Sequence, residues 1–402
     1  MGLTKEPDGK YSIVNQLSKA YGSYWPRTDC CSAELFSDEN DFVVQEIIGD
    51  DICSLNEPTI PNKLPQYVTF TLVKRNISTF DCAKQIAEYF KIDEREVTYS
   101  GLKDTHAITS QRISLPITAF DLKNIKTSYT FQGFFLKDPM LTNIQIKQGS
   151  HKGNKFLVTA RIGENVKSQI KLLKKHFLYL IKNGVPNIYG LQRFGPRGYN
   201  HLIGKAMVER DFEKAARIWL TDIYNTWDIG KNLSENWGNW EKCINIISSN
   251  TELSMEKRFL ANLYVEKDFE KAFSSIPLGS FFVRSFRSFL FNEALLRLIG
   301  KNGIKDMPTY LECVGPDTLF ADSTKEVYEE VLSEYDLKIS DLEFANYPTF
   351  TQKGTLRQAV MFPTDTSINV QENQLKIGFS LPVGAYATVL LSLLFRQQDF
   401  SG

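Results

Sequence analysis

The stretch Tyr99-Ser-Gly-Leu-Lys-Asp-Thr-His-Ala-Ile-Thr-Ser-Gln-Arg-Ile-Ser-Leu115 decides how this chain is read. Val97 to Ser100 reads as the tail of a strand and Gly101 breaks it. Lys103 and Asp104 stand at the tip, and an alternating run through Ile113 and Leu115 leaves it. Glycine frees the backbone for a reversal, and a loop held by two strands fixes the direction of the side chains it carries. A carboxylate at such a tip can project toward a ligand while its neighbours hold it still. The plain alternative is a turn aspartate that bonds its own backbone. The rest of the chain has to choose between them.

Upstream, residues 1–35 show no periodicity and read as an irregular arm. Asp41-Phe-Val-Val-Gln-Glu-Ile47 reads as a core strand, apolar on both faces. Val68, Phe70 and Leu72 alternate onto one face of a second strand, which Lys74-Arg75-Asn76 ends with charge. Thr79 is the expected N-cap of a helix whose Cys82, Ile86 and Phe90 share one face. That helix is expected to orient the Asp104 loop. Residues 117–146 read as a weak helix followed by a loop from Gly133 to Pro139.

Downstream, Gly153-Asn154-Lys155-Phe156 opens a strand that runs to Arg161. On composition alone this is a turn asparagine before a core phenylalanine. Lys147, Lys152, Lys155, Arg161, Lys167, Lys171, Lys174 and Lys175 accumulate here against Glu164. Such a run is usually a solvated face, and beside a ligand site it can hold phosphates. Residues 165–183 read as a helix with Ile170, Leu173, Phe177 and Ile181 toward the core. In Gly184-Val-Pro-Asn-Ile-Tyr-Gly-Leu-Gln-Arg-Phe-Gly195, glycines allow close approach and Arg193 offers a fork for a phosphate or carboxylate. A hinge between domains is the bland alternative. Residues 204–345 are helical in pattern, with Trp219, Trp227, Trp237 and Trp240 read as core or interface aromatics. An amphipathic helix is expected from Ser285, stopping at Gly300. Strands return at Gly354–Arg357 and Ile368–Val370. Leu375 to Leu390 closes as a strand to Pro382 and a helix from about Ala385.

Length allows two domains, or one with an insertion, in 402 residues. Lys plus Arg and Asp plus Glu both number 47, so no global charge advertises a nucleic-acid partner and a local basic face has to serve. The six cysteines form no CxxC pair and the four histidines do not gather with them, which argues against zinc. With no signal peptide or long apolar span, the expectation is a reducing cytosol, free thiols and no membrane.

Gly101-x-Lys103-Asp104-x-x-Ala107-x-Thr109-x-Gln111 resembles the active-site signature of the TruD family of tRNA pseudouridine synthases. The strand Asp41–Ile47 resembles that family's DFxVxE element, and Gly153–Phe156 its GNxF motif. Asn187–Gly195 resembles N-[YF]-[FY]-G-x-QRFG with Ile188 as the variation. Ser288–Asn292 resembles SxLFN, and Phe379–Thr388 resembles FxLPxGSYAT with Ala385 for serine. Two departures stand out. Phe36 occupies the place of the family's usual upstream lysine, and Ser392-Leu393 replace an Arg-Glu pair.

The resemblance implies an α+β fold: a pseudouridine synthase domain with a mixed, mainly antiparallel sheet over 1–186 and 348–402, and an inserted helix-rich domain over 187–347. It implies uridine isomerisation in tRNA, at position 13, with Asp104 as nucleophile. Lys103, Asn154, Phe156, Arg193 and Phe379 are implied at the substrate, and Lys152, Lys155, Lys171, Lys174 and Lys175 are expected on the RNA backbone. Lys103 or Arg193 would help keep Asp104 ionised, and Arg112 is a further candidate. No cofactor and no metal is expected, since the isomerisation balances its own atoms. The expected state is a cytoplasmic monomer with tRNA as partner. The competing reading is a non-catalytic RNA-binding or tRNA-folding protein that keeps the fold.

Overall fold

A computed structural model describes residues 16, 31–35, 38, 41–48, 51–53, 65–162, 166–195, 197–224, 227–250, 253–371 and 374–396. The chain divides into two compact units. One is Asp29–Val185 with Met361–Gly402, and the other is Pro186–Val360 with Met1–Thr28, where Gln16 is the described residue.

The first unit is built on a 12-stranded sheet. Its main path runs Thr364–Gln371, Gln374–Pro382, Gly153–Ile162, Phe42–Ile48, Ile108–Pro116, Tyr67–Arg75, Phe134–Thr142, Ser128–Phe131. Pairing is antiparallel along this path except between Phe42–Ile48 and Ile108–Pro116, which run parallel. The sheet is therefore mixed and mainly antiparallel, and strands from both ends of the unit contribute to it, with Phe42–Ile48 and Gln374–Pro382 on either side of Gly153–Ile162. Val68, Phe70 and Leu72 with Ile113 and Leu115 pack on Cys82, Ala83, Ile86 and Ala87 of the helix Thr79–Phe90. That helix is capped by Ser78, whose hydroxyl accepts from Asp81 N, and not by Thr79 as the sequence suggested.

Two further expectations change here. Cys31–Leu35, read as part of an irregular arm, is a strand antiparallel to Gly153–Ile162. Gly133–Pro139, read as a loop, turns at Gly133 and continues as the strand Phe134–Thr142. Phe134 and Leu136 are buried on one side of it, and Phe131 stacks on Phe134 at 4.4 Å. Pro139 had argued against a strand, but it falls where the register with Tyr67–Arg75 shifts, a bulge that needs no donor from it.

The second unit centres on the helix Pro277–Asn302. The expected helix from Ser285 to Gly300 is longer at both ends: it has Pro277 in its first turn and ends against Gly303, at φ +82°. It is also not amphipathic where the sequence put its amphipathic start, because every residue from Ser285 to Leu296 is buried. Neighbouring elements cover it all round, which a one-sided periodicity does not predict. At Gly204 a Cβ would stand 2.0 Å from Phe282 O, so only glycine lets Asn200–Val208 cross this helix so closely. Asn292 binds both Tyr189 N and Tyr189 O, fixing the loop around Tyr189 to the helix. This unit extends past the expected end at 347, because Tyr310–Cys313 pairs antiparallel with Thr355–Gln358.

Candidate active site

Side chains on directly paired residues of neighbouring strands share a face. Glu46 lies opposite Asn154, Val44 opposite Phe156, and Phe379 opposite Phe156. Across the parallel pair Thr109 matches Val44, and Lys74 matches Thr109 on the next strand. One face of the sheet therefore carries Lys74, Thr109, Gln111, Glu46, Asn154, Phe156 and Phe379. Gly153 makes the Asn154 end possible: a Cβ there would lie 2.2 Å from Leu381 O.

Glu46 is fully buried. Its carboxylate takes Lys103 Nζ at 2.9 Å, the Ser100 hydroxyl, and the Arg112 backbone N–H at 3.4 Å. Thr79, released from capping, accepts from Lys103 N at 3.3 Å. The loop before Asp104 is thus stapled through both side chain and backbone of Lys103. Lys74, also buried, donates to Ile77 O at 2.9 Å and to Asp104 O. Asp104 itself is exposed between these anchored neighbours.

Asp104 is reachable by solvent, yet protein surrounds enough of its carboxyl that lost hydration raises its pKa. Its own backbone N–H, Lys74 and Lys103 oppose the rise. The carboxylate is open on one side and crowded on the others, and desolvation outweighs the two lysines beside it. Burial pushes Lys74 down to about 8, with Cys82 and Asp104 pulling it up and Lys103 adding to the fall.

The expected site residues do not all stand where they were expected to act. Lys103 spends its ammonium on Glu46, so its contact is internal. Arg112 points to the opposite sheet face, onto Thr69, Thr71 and Asp138 O, and does not stand beside Asp104. Asn154 is half-buried with its amide oxygen buried and unpartnered. Phe42, Phe156 and Phe379 form a buried stack, with centroids at 5.8 and 5.3 Å. Lys155 lies on the sheet face opposite Asn154, whereas Lys171, Lys174 and Lys175 are exposed on the helix Val166–Asn183 and Lys152 is exposed before its strand. Arg193 belongs to the second unit, bonded to Ser288 at 3.0 Å. Phe36, where the family's lysine is missing, lies outside the described residues.

Lys74 and Glu46 are the groups that sequence reasoning did not assign. Parity would have found Lys74, since Val68, Phe70, Leu72 and Lys74 alternate onto one buried face. The site is also marked by unsatisfied polar atoms. Thr109 Oγ1, both ends of the Gln111 amide, Asn154 Oδ1 and His151 Nδ1 are buried with no hydrogen-bond partner. Native structures keep few such groups, and a functional site is where they persist. No group of three or more His, Cys, Asp or Glu among the described residues is placed to hold a metal.

The staple can be weighed. Glu46→Ala leaves the Lys103 ammonium buried and alone, at an expected cost of about 3–5 kcal/mol of folding stability. A urea titration reads this directly, and an unmoved midpoint would remove Glu46 from its anchoring role.

Comparison with known proteins identifies the family. The family profile described as tRNA pseudouridine synthase D (TruD) matches residues 21–307 and 304–393. A probable tRNA pseudouridine synthase D 1 of Methanococcus maripaludis is 26% identical over 408 residues, covering 89% of this chain and 97% of that protein. A probable tRNA pseudouridine synthase D of Nanoarchaeum equitans is 29% identical over 363 residues, covering 84% and 89%. The crystal structure of the putative tRNA pseudouridine synthase D (TruD) of Methanosarcina mazei has the same fold, with a TM-score of 0.72 at 22% identity over 93% of this chain and 95% of that one. With a family match that runs through both units, this chain belongs to the TruD family of tRNA pseudouridine synthases, which are isomerases.

Proposed function

We propose that this chain converts uridine to pseudouridine at position 13 of tRNA, with Asp104 as the reacting carboxylate. The observation that carries the reading is an exposed carboxylate on a loop that two buried lysines anchor, beside a sheet face with unsatisfied polar atoms.

The reaction breaks the N1–C1′ bond, turns the uracil, and joins C5 to C1′. C5 gives up its proton and N1 gains one, so no donor or redox partner enters. The Asp104 anion attacks the ribose or the base, and either route regenerates it. Lys74 and Lys103 favour the anion, which burial alone would suppress. The base must first leave its stack, at a cost of about a few kcal/mol. The unpartnered Asn154 Oδ1 suits the uracil N3–H. Phe156 and Phe379 close on each other, so stacking a base between them requires one ring to turn. Such a stack offsets about 1–3 kcal/mol per base.

Asp104→Asn is expected to abolish pseudouridine formation while leaving tRNA affinity within about twofold, since one unpaired carboxylate is not a phosphate contact. Mapping pseudouridine in a transcript treated with each purified protein, alongside filter binding, checks both. Equal loss of binding would make Asp104 structural, and a wild-type protein that binds tRNA without modifying it would leave only the binding reading.

The pH dependence has a definite sign. The anion reacts, so the single-turnover rate falls as pH drops through the raised Asp104 pKa, above the ordinary value of about 3.9. Lys74→Met removes a cation that lowers this pKa, so the acid limb moves to higher pH. A limb that stays in place separates Lys74 from the reacting group. Replacing Lys171, Lys174 and Lys175 by glutamine is expected to reduce the salt slope of tRNA binding by about 0.7 to 0.9 for each phosphate these lysines neutralise. An unchanged slope puts the RNA backbone elsewhere.

A further inference from the structure

The second unit holds arginines that its own structure does not use up. Four stand near Tyr189 and the helix Pro277–Asn302, and their donors can be accounted for. Arg287 gives its guanidinium to Val314 O, to Cys313 O at 3.0 Å and to Lys353 O at 2.8 Å. Arg357 binds Asn187 O and Asn187 Oδ1 at 2.9 and 2.8 Å and lies 4.0 Å over the Tyr189 ring. Both hold backbone in place.

Arg193 and Arg284 differ. Arg193 donates Nε to Ser288 Oγ at 3.0 Å and lies over the rings of Tyr189 and Phe281, 5.4 Å from each. Its backbone carbonyl is held by Ser285 Oγ at 2.9 Å, so the head group is carried on a fixed loop. Arg284 gives Nη2 to Ser280 Oγ at 3.3 Å, and its Nε is buried with no partner. Phe281, Arg284, Ser285 and Ser288 recur at three- and four-residue spacing, which puts Arg284 on the helix face that carries Arg193. Ser288, which accepts from Arg193, donates in turn to Arg284 O at 2.9 Å.

Neither arginine has a carboxylate partner among the described residues, and both are only half-buried, so a ligand can reach them. Burial lowers the Arg284 pKa and the nearby Arg193 charge lowers it further. Two like charges, partly desolvated and without a counter-ion, cost free energy that an arriving anion would recover. The vacant donors are forks, which match two oxygens of a phosphodiester better than they match a point acceptor.

We propose that Arg193 and Arg284 together hold one backbone phosphate of the RNA substrate. This rests on the tRNA reading above, which supplies the polyanion. Arg193 grips with its Nη groups from a stacked, fixed position, and Arg284 adds the Nη end of its guanidinium from the helix. The role is positional: the phosphate grip registers the strand and reads no base.

The test measures affinity for a tRNA transcript across a salt series, in the full chain carrying Asp104→Asn so that turnover plays no part. Arg284→Ala and Arg284→Gln are expected to weaken binding about tenfold near 0.1 M salt and to lower the slope of log affinity against log salt by about 0.7 to 0.9. Arg284→Lys is expected to restore the slope and only part of the affinity, because an ammonium keeps the charge and loses the fork. Thermal melts of all three accompany the binding curves. Slopes equal to the parent in all three variants overturn the proposal, including where Ala and Gln lower the melting temperature and Lys restores it, since that pattern marks a structural cation. Product mapping with otherwise wild-type chains separates this result from the broader reading. Pseudouridine made with unchanged Arg284 slopes sinks the phosphate site alone. Arg284-dependent slopes without any pseudouridine sink the isomerase reading and leave the phosphate site standing.

Discussion

The site depends on a buried ion pair, Lys103 Nζ on Glu46 Oε2 at 2.9 Å, with Ser100 as a second donor. Two charges taken out of water roughly break even against well-packed apolar residues, so such a pair is poorly explained as a source of stability. It is well explained as a positional device. Glu46 comes from a strand at the centre of the sheet, with Gly153–Ile162 on one side and Ile108–Pro116 on the other. Through that carboxylate the rigidity of the sheet passes to a loop that would otherwise be free at its tip.

The neighbours divide the work around Asp104. Thr79 is free to hold Lys103 N because Ser78 takes the cap, so the helix start also serves the loop. Lys74 reaches the loop carbonyl on the other side and brings charge without exposing it. A buried lysine is costly, and the fall of its pKa to about 8 expresses that cost. In return the one exposed member of the group is a carboxylate whose charge is supported from behind and whose face is open to a ligand.

Much of this was legible in the chain. The motifs around Asp104, Asn154 and Phe379 carried the family, and the alternation of Val68, Phe70 and Leu72 gave a strand whose parity already put Lys74 inside. Other elements misled for identifiable reasons. Gly133 and Pro139 look like a loop until the bulge that accommodates the proline is seen against its partner strand. The helix around Ser285 looked one-sided because periodicity assumes solvent on the other side, and here there is protein. Arg112 and Lys103 were both plausible cations near Asp104. One residue of strand register sends Arg112 to the far face, and Glu46 claims Lys103.

By itself the sequence determined the family, the α+β class, the candidate carboxylate and most of the residues grouped around it, because these reside in short strings whose spacing is fixed along the chain. Which cation supports Asp104, which hydroxyl caps the helix, which phenylalanines touch, and which arginines stand without a carboxylate partner were decided by the tertiary structure. The reason is physical: each depends on a partner far away in sequence, such as Glu46 for Lys103 or Asp104 for Lys74, and burial alters the energy of a charge by more than local pattern can express.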